Sequence, residues 1–153
     1  MFERIILPID KSNKSINTAK KAIELAKKLN VKLTAIYSIN ENVFTDTMTI
    51  HQAYVNKHYN SKKNSKQEKA HDFLNKIERF GNAKNVNVQT MLLEGSSEKR
   101  IVTEVNQNDL IIIGAKGTSA INRIFLSSLN EKLLHNAPST VMIIRRSEDF
   151  WKY

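Results

Sequence analysis

A chain of 153 residues is about one domain long, and a domain of that size removes well over half of its unfolded surface from water without a covalent staple. The absence of cysteine excludes disulfide frameworks, thiolate zinc sites and cysteine nucleophiles, and fits a reducing, cytoplasmic compartment. A net charge of +9 admits an anionic partner, but the basic residues run through the whole chain; lysines of the first predicted helix and of the 57–69 stretch carry most of the excess, which reads as a solvated surface.

The opening stretch Met1-Phe2-Glu3-Arg4-Ile5-Ile6-Leu7-Pro8 is too short for a signal peptide and leads to Asp10 rather than to a small-residue cleavage site. No run approaches the roughly 18 apolar residues that a spanning helix needs, so a soluble protein is expected.

Residues 3–9 are a short apolar run ending at Pro8, Asp10 and Ser12, the pattern of a buried strand stopping at a turn. Across 15–29, Ile16, Ala19, Ile23, Ala26 and Leu29 recur at helical spacing, with Ser12 or Asn13 as the cap and Asn30 as the close. Residues 31–39 are β-branched and aliphatic, a second strand. The segment 40–66 lacks clean periodicity. From about Ser65 to Phe80 the residues Ala70, Phe73, Leu74, Ile77 and Phe80 share one helical face, and Gly81 is expected to stop that helix.

Residues 86–93 read as the third strand, before Glu94 and Gly95. Ser96 or Ser97 caps a helix of about ten residues. Asp109-Leu110-Ile111-Ile112-Ile113 is a continuous aliphatic strand, buried on both faces and ending at Gly114. A last helix runs from Ser127 or Ser128 to His135, Pro138 breaks it, and Val141, Met142, Ile143 and Ile144 form a fifth strand. Strands alternating with helices imply right-handed crossovers and an open, mostly parallel α/β sheet of five strands with helices on both faces. Its ligand belongs beyond the carboxyl ends of the strands, at residues 8–12 and 114–117.

Gly114-Ala115-Lys116-Gly117 follows the most buried strand, and two glycines there allow the backbone to approach an anion. Ten residues on, Ser127 and Ser128 open a helix whose first N–H groups favour a phosphate.

Three segments, in order, resemble the universal stress protein family over nearly the whole chain: Ile6-Leu7-Pro8-Ile9-Asp10-Lys11-Ser12, the run from Asp109 through Gly117, and the run from Leu126 to Arg145. The resemblance implies a Rossmann-like fold of the adenine nucleotide alpha hydrolase type with strand order 3-2-1-4-5, a domain over 1–146 and a tail over 147–153. In the ATP-binding branch a glycine, two residues, a second glycine and nine residues precede Gly-Ser or Gly-Thr. Gly114, Gly117, the nine-residue spacing and Ser128 match, whereas Ser127 replaces the third glycine. A Cβ at that position either crowds a phosphate or, in ordinary cap geometry, adds a hydroxyl.

By the same resemblance, Asp10 takes the ribose or adenine edge, with Pro8 and Ile9 beside it. Ser38 stands where relatives place an aliphatic residue against adenine. Ile113, Gly114, Lys116 and Gly117 line the ribose and phosphates, and Ser127, Ser128 and Leu129 hold the end of an ATP, with magnesium as its companion ion. The expectation is a stress-response binding protein with no assigned catalytic residue and at most slow hydrolysis. Val141, Met142, Ile143 and Ile144 form an apolar edge strand, a liability unless paired, and relatives pair this strand across a homodimer axis. The alternatives are a stress protein that acts through its surface without a nucleotide, and an RNA-binding protein, since Gly114-Ala115-Lys116-Gly117 also resembles the GXXG loop of KH domains. Nucleic acid is disfavoured because that loop joins two helices, whereas residues 110–113 have strand character.

His51, His58 and His71 have no acid or thiol partner at metal-ligand spacing, and His135 suits the carboxyl end of the last helix. There is no P-loop and no nucleophile elbow.

Overall fold

The computed structural model describes residues 1–10, 16–39, 52–95, 97–117 and 124–146. The proposed caps at Ser12, Asn13 and Ser96, the segment 40–51 and the 147–153 tail lie outside the described residues.

The chain alternates β1 (Arg4–Ile9), α1 (Ile16–Leu29), β2 (Lys32–Ile39), α2 (Gln52–Ala83), β3 (Val88–Glu94), α3 (Ser97–Glu104) and β4 (Asp109–Gly117), then β5 (Ile124–Phe125), α4 (Ser128–Asn136) and β6 (Thr140–Arg146). β3, β2, β1, β4 and β6 are parallel neighbours in that order. The expected order 3-2-1-4-5 is present, with β6 as its fifth strand, and the sequence reading lacked only β5, a two-residue antiparallel partner of Lys116 and Gly117.

Alternation along the strands sorts the core into two layers. Ile5, Leu7 and Ile9 of β1 with Leu33, Ala35 and Tyr37 of β2 pack beneath Ala19, Ile23 and Ala26 of α1 and Ala70, Leu74 and Ile77 of α2. Ile6, Ile36, Ile111 and Ile113 face the other way, against Ile101 of α3 and Leu129 and Leu133 of α4.

α1 and α2 stop by the same device. Asn30 and Asn85 adopt left-handed φ of 54° and 59°, and the following N–H groups, of Val31 and Val86, reach back to the carbonyls of Ala26 at 3.0 Å and Gly81 at 2.9 Å. These are Schellman closures, with asparagine supplying the left-handed residue. Gly81 therefore does not stop α2, contrary to the sequence reading. It is buried within the helix, where an added Cβ would run into Val88 Cγ2, so close approach of α2 to β3 requires it. α2 also starts near Gln52 rather than Ser65, which the uneven composition of 52–66 concealed.

At the amino edge of the sheet, Arg4 ties three elements together. Its Nε and Nη2 donate to Asp109 Oδ1 and Oδ2 at 3.1 and 2.6 Å, and Nη2 also donates to the Glu104 carbonyl at 2.7 Å, capping α3. The Asn106 N–H donates to Asp109 Oδ2 at 3.0 Å.

Candidate functional site

β1 and β4 are neighbours for only three residues: Arg4, Ile5 and Ile6 lie opposite Asp109, Leu110 and Ile111. Past that point Leu7, Pro8 and Ile9 continue in register with β2, while β4 continues in register with β6 to Lys116 opposite Arg146. The two central strands therefore part over about 10 Å of their length, at 3.3 Å per residue. This opens a crevice at the carboxyl edge, where the winding direction of the sheet reverses.

Two buried polar residues line its β1–β2 side. Ile9 is the register partner of Tyr37, so Asp10 and Ser38, the next residue on each strand, lie side by side. The alternation of Ile6, Pro8 and Asp10, and of Thr34, Ile36 and Ser38, puts both on the α3–α4 layer. Ser38 is 2% exposed, and its Oγ has no hydrogen-bond partner among the described residues. Asp10 is also buried and is engaged by a neighbour.

The other side is made by β4 and α4. Ser127 is the N-cap of α4, with φ −66° and ψ 159°, and its Oγ accepts the Asn130 N–H at 3.2 Å. That backbone makes no demand for glycine, so the substitution of the third glycine takes the ordinary cap geometry. The Glu131 N–H goes to the Ser127 carbonyl at 2.9 Å, while Ser128 and Leu129 present first-turn N–H groups with no acceptor inside the helix. Ser128 is exposed, whereas the Leu129 side chain is core, so Leu129 offers only its backbone to a ligand.

Asn130 was missed by sequence reasoning. It is fully buried, its Nδ2 donates to the Gly114 carbonyl at 3.2 Å, and its Oδ1 has no partner among the described residues. With β1 gone from that side of β4, the side-chain amide supplies the bond that a neighbouring strand would have made. The available signal was a polar residue three places past a Ser cap, in a helix whose other inward positions, Leu129 and Leu133, are aliphatic.

Residues 114–117 are the end of β4, not the expected loop. Gly114, Ala115 and Lys116 pair with Ile144, Arg145 and Arg146, and Lys116 and Gly117 also pair with Phe125 and Ile124 of β5. A strand here is also incompatible with the helix-to-helix turn of a GXXG RNA loop. β5 occupies the edge that β1 vacates and leads directly into the Ser127 cap. Of the other expected site residues, Ile113 lies in the core layer beneath α3 and α4, and Ile9 points to the α1–α2 layer, leaving their backbones for the crevice. Pro8 is buried beside Ile36.

Val141, Ile143 and Ile144 of β6 are partly covered and Met142 is 40% exposed; among the described residues β6 pairs with β4 alone. His71 is exposed on α2, and His135 is exposed in the last turn of α4 as expected. No helix among the described residues is long and apolar enough to cross a membrane.

The model of the universal stress protein family matches residues 1–145. A universal stress protein of Methanocaldococcus jannaschii is 26% identical over 148 residues, covering 95% of this chain and 84% of its own length. Among solved structures, the universal stress protein UspA from Lactobacillus plantarum superposes with a TM-score of 0.72 at 23% identity, covering 94% of this chain and 98% of that one. Two further neighbours were solved with nucleotides. One is a universal stress protein in complex with cAMP, with a TM-score of 0.59 at 15% identity over 95% of this chain and 98% of that one. The other is from Archaeoglobus fulgidus, in complex with dAMP, with a TM-score of 0.55 at 15% identity over 94% of this chain and 98% of that one. With its match along nearly the full length and its 3-2-1-4-5 sheet, the chain belongs to the universal stress protein family.

Proposed function

We propose that the protein binds an adenine nucleotide, ATP in the first instance, in the crevice between β1 and β4 and acts in stress response as a binding and regulatory protein. The observation that carries this is the Ser38 hydroxyl, buried without a partner among the described residues, beside Asp10 where the central strands part. Leaving a buried hydroxyl unpaired costs roughly 1–3 kcal/mol, a cost that a hydrogen-bonding ligand removes. The base and ribose lie against Asp10, Ser38 and the backbone of Pro8, Ile9 and Ile113. The phosphates lie against Gly114, Lys116 and Gly117 and the free N–H groups of Ser128 and Leu129, with the Ser127 cap behind them. The cAMP and dAMP complexes of structural neighbours support the ligand class. Magnesium would arrive on the triphosphate, because no group of three His, Asp or Glu side chains among the described residues is placed to hold a metal.

The protein is further proposed to be a homodimer joined through the free edge of β6, where Val141, Met142, Ile143 and Ile144 would lose their exposed apolar surface. Sedimentation at micromolar concentration tests this, and a monomer removes the claim.

One observation favours the rival reading of a nucleotide-free protein acting through its surface: Lys116 is paired with both β5 and β6 and Gly117 with β5, which commits backbone groups that a phosphate would use. Isothermal titration of nucleotide-stripped protein with ATP and magnesium separates the two. Saturable binding at one nucleotide per chain, weakened in Asp10→Ala and Gly117→Asp variants whose circular dichroism is unchanged, is the expected result. No heat from the wild type leaves the surface-acting protein.

A further inference from the structure

Asn130 is fully buried in the first turn of α4, and only half of its amide is committed. A carbonyl oxygen takes a donor and nothing else, so the bond to the Gly114 carbonyl fixes which end of the amide is Nδ2 and leaves Oδ1 as an acceptor. That acceptor has no hydrogen-bond partner among the described residues.

The amide stands where β1 has left β4. Continuing the β1–β4 register past Ile6 and Ile111 sets Ile9 and Asp10 level with Gly114 and Ala115. Ser38 lies beside Asp10, and both turn to the α3–α4 layer, the layer to which Leu129 and Leu133 of α4 belong. Three buried polar side chains, delivered by β1, β2 and α4, therefore stand at one level of the crevice and on one face of the sheet.

Their chemistry is divided. The first-turn N–H groups of Ser128 and Leu129 are donors and suit the oxygens of a phosphate. Asn130 Oδ1, on the next residue of the same turn, only accepts, and a fully ionised phosphate has no proton to give it. It calls for a donating group close to the phosphate. In a nucleoside 5′-phosphate the ribose hydroxyls are the nearest donors, whereas the adenine amino group is at the far end of the molecule. We propose that Asn130 Oδ1 accepts a hydrogen bond from a ribose hydroxyl and makes the crevice selective for ribonucleotides over their deoxy counterparts. The bond to Gly114 holds the amide in place before the ligand arrives, so the acceptor is preorganised. Oδ1 is covered in the ligand-free chain, and entry of the sugar has to part α4 slightly from the strand ends. This rests on the adenine-nucleotide reading of the crevice and adds a residue that reads the sugar, at a position outside the glycine and serine pattern of the ATP-binding branch.

The test is titration of the full chain with AMP, 2′-deoxy-AMP and 3′-deoxy-AMP. The wild type is expected to bind AMP about tenfold tighter than at least one of the deoxy analogues. Asn130→Ala and Asn130→Ser variants with unchanged circular dichroism should bring that preference within about twofold, because neither side chain carries an atom at the place of Oδ1. Affinity for all three ligands falls as α4 loosens, but a purely structural role would leave the ratio between them alone. Leu133→Val, which loosens α4 from its buried side without touching the amide, is the control and should keep the preference. Equal affinity of the wild type for all three ligands overturns the sugar contact without any variant. A preference that survives in either Asn130 variant, or one that is lost in Leu133→Val as well, also overturns it. In each of these cases binding of AMP leaves the adenine reading standing, whereas failure of AMP to bind the wild type overturns both.

Discussion

Asn130 Nδ2 donates to the carbonyl oxygen of Gly114 at 3.2 Å, fastening the first turn of α4 to the strand that β1 has left. The bond is fully buried, so its loss leaves a carbonyl without water to replace the donor. Asn130→Ala should destabilise the protein by about 1–3 kcal/mol in urea unfolding, whereas Ser128→Ala, at an exposed neighbour, should stay within about 0.5 kcal/mol. Equal small effects at both positions would mean that α4 is held by its leucines alone.

Gly81 lies inside α2 with Val88 Cγ2 where a Cβ would be. On helix propensity alone, Gly81→Ala would stabilise by about 1 kcal/mol. Overpacking against β3 reverses the sign, and the expected net effect is a loss of about 1–3 kcal/mol, read as a lower urea midpoint at unchanged slope. A variant more stable than wild type would show that α2 and β3 separate easily.

The sheet was legible because the central strands β1, β2 and β4 are largely aliphatic on both faces and the helices between strands carry an apolar stripe where they cover the sheet; that pattern implies parallel pairing and a crevice at the carboxyl edge. What misled was glycine. Gly81 and the pair Gly114 and Gly117 were read as breaks, yet Gly81 serves close packing and the other two sit in a paired strand. A glycine signals backbone freedom or lack of volume, and one sequence does not say which. Asn130 was illegible for a related reason: its role depends on β1 diverging from β4, a tertiary event with no local signature. The first half of α2, residues 52–66, lacks clean apolar periodicity in the sequence, so the signal that marks the other helices was missing there.

Asp109 gives the acid stability a direction. Burial pushes its carboxyl up, but the hydrogen bonds from Arg4 and the Asn106 N–H, with the charges of Arg4 and Lys32, outweigh that and hold it below the ordinary carboxylate range. Because the folded value is the lower one, the pair contributes fully above the unfolded value of about 3.9, and that contribution is lost as pH falls through the folded value. Asp109→Asn should cost on the order of 3 kcal/mol at neutral pH, since it strands the Arg4 guanidinium, and should flatten the acid limb of the stability curve below about pH 4. Urea midpoints from pH 2 to 7 measure both, and a variant with an unchanged acid limb would assign that limb to other carboxylates.

Ser38 separates stability from binding. Its Oγ is buried and has no partner among the described residues, so the ligand-free protein bears a desolvation cost that an alanine would not. Ser38→Ala should therefore leave the ligand-free protein as stable as wild type or more stable by about 1 kcal/mol. The same change should weaken nucleotide binding by about tenfold, because the ligand loses the hydrogen bond that offsets this cost. Thermal unfolding with and without AMP measures both effects: a higher melting temperature without ligand and a smaller ligand-induced rise. If the rise with AMP is undiminished in Ser38→Ala, the base does not reach the end of β2, and the nucleotide must sit nearer α4.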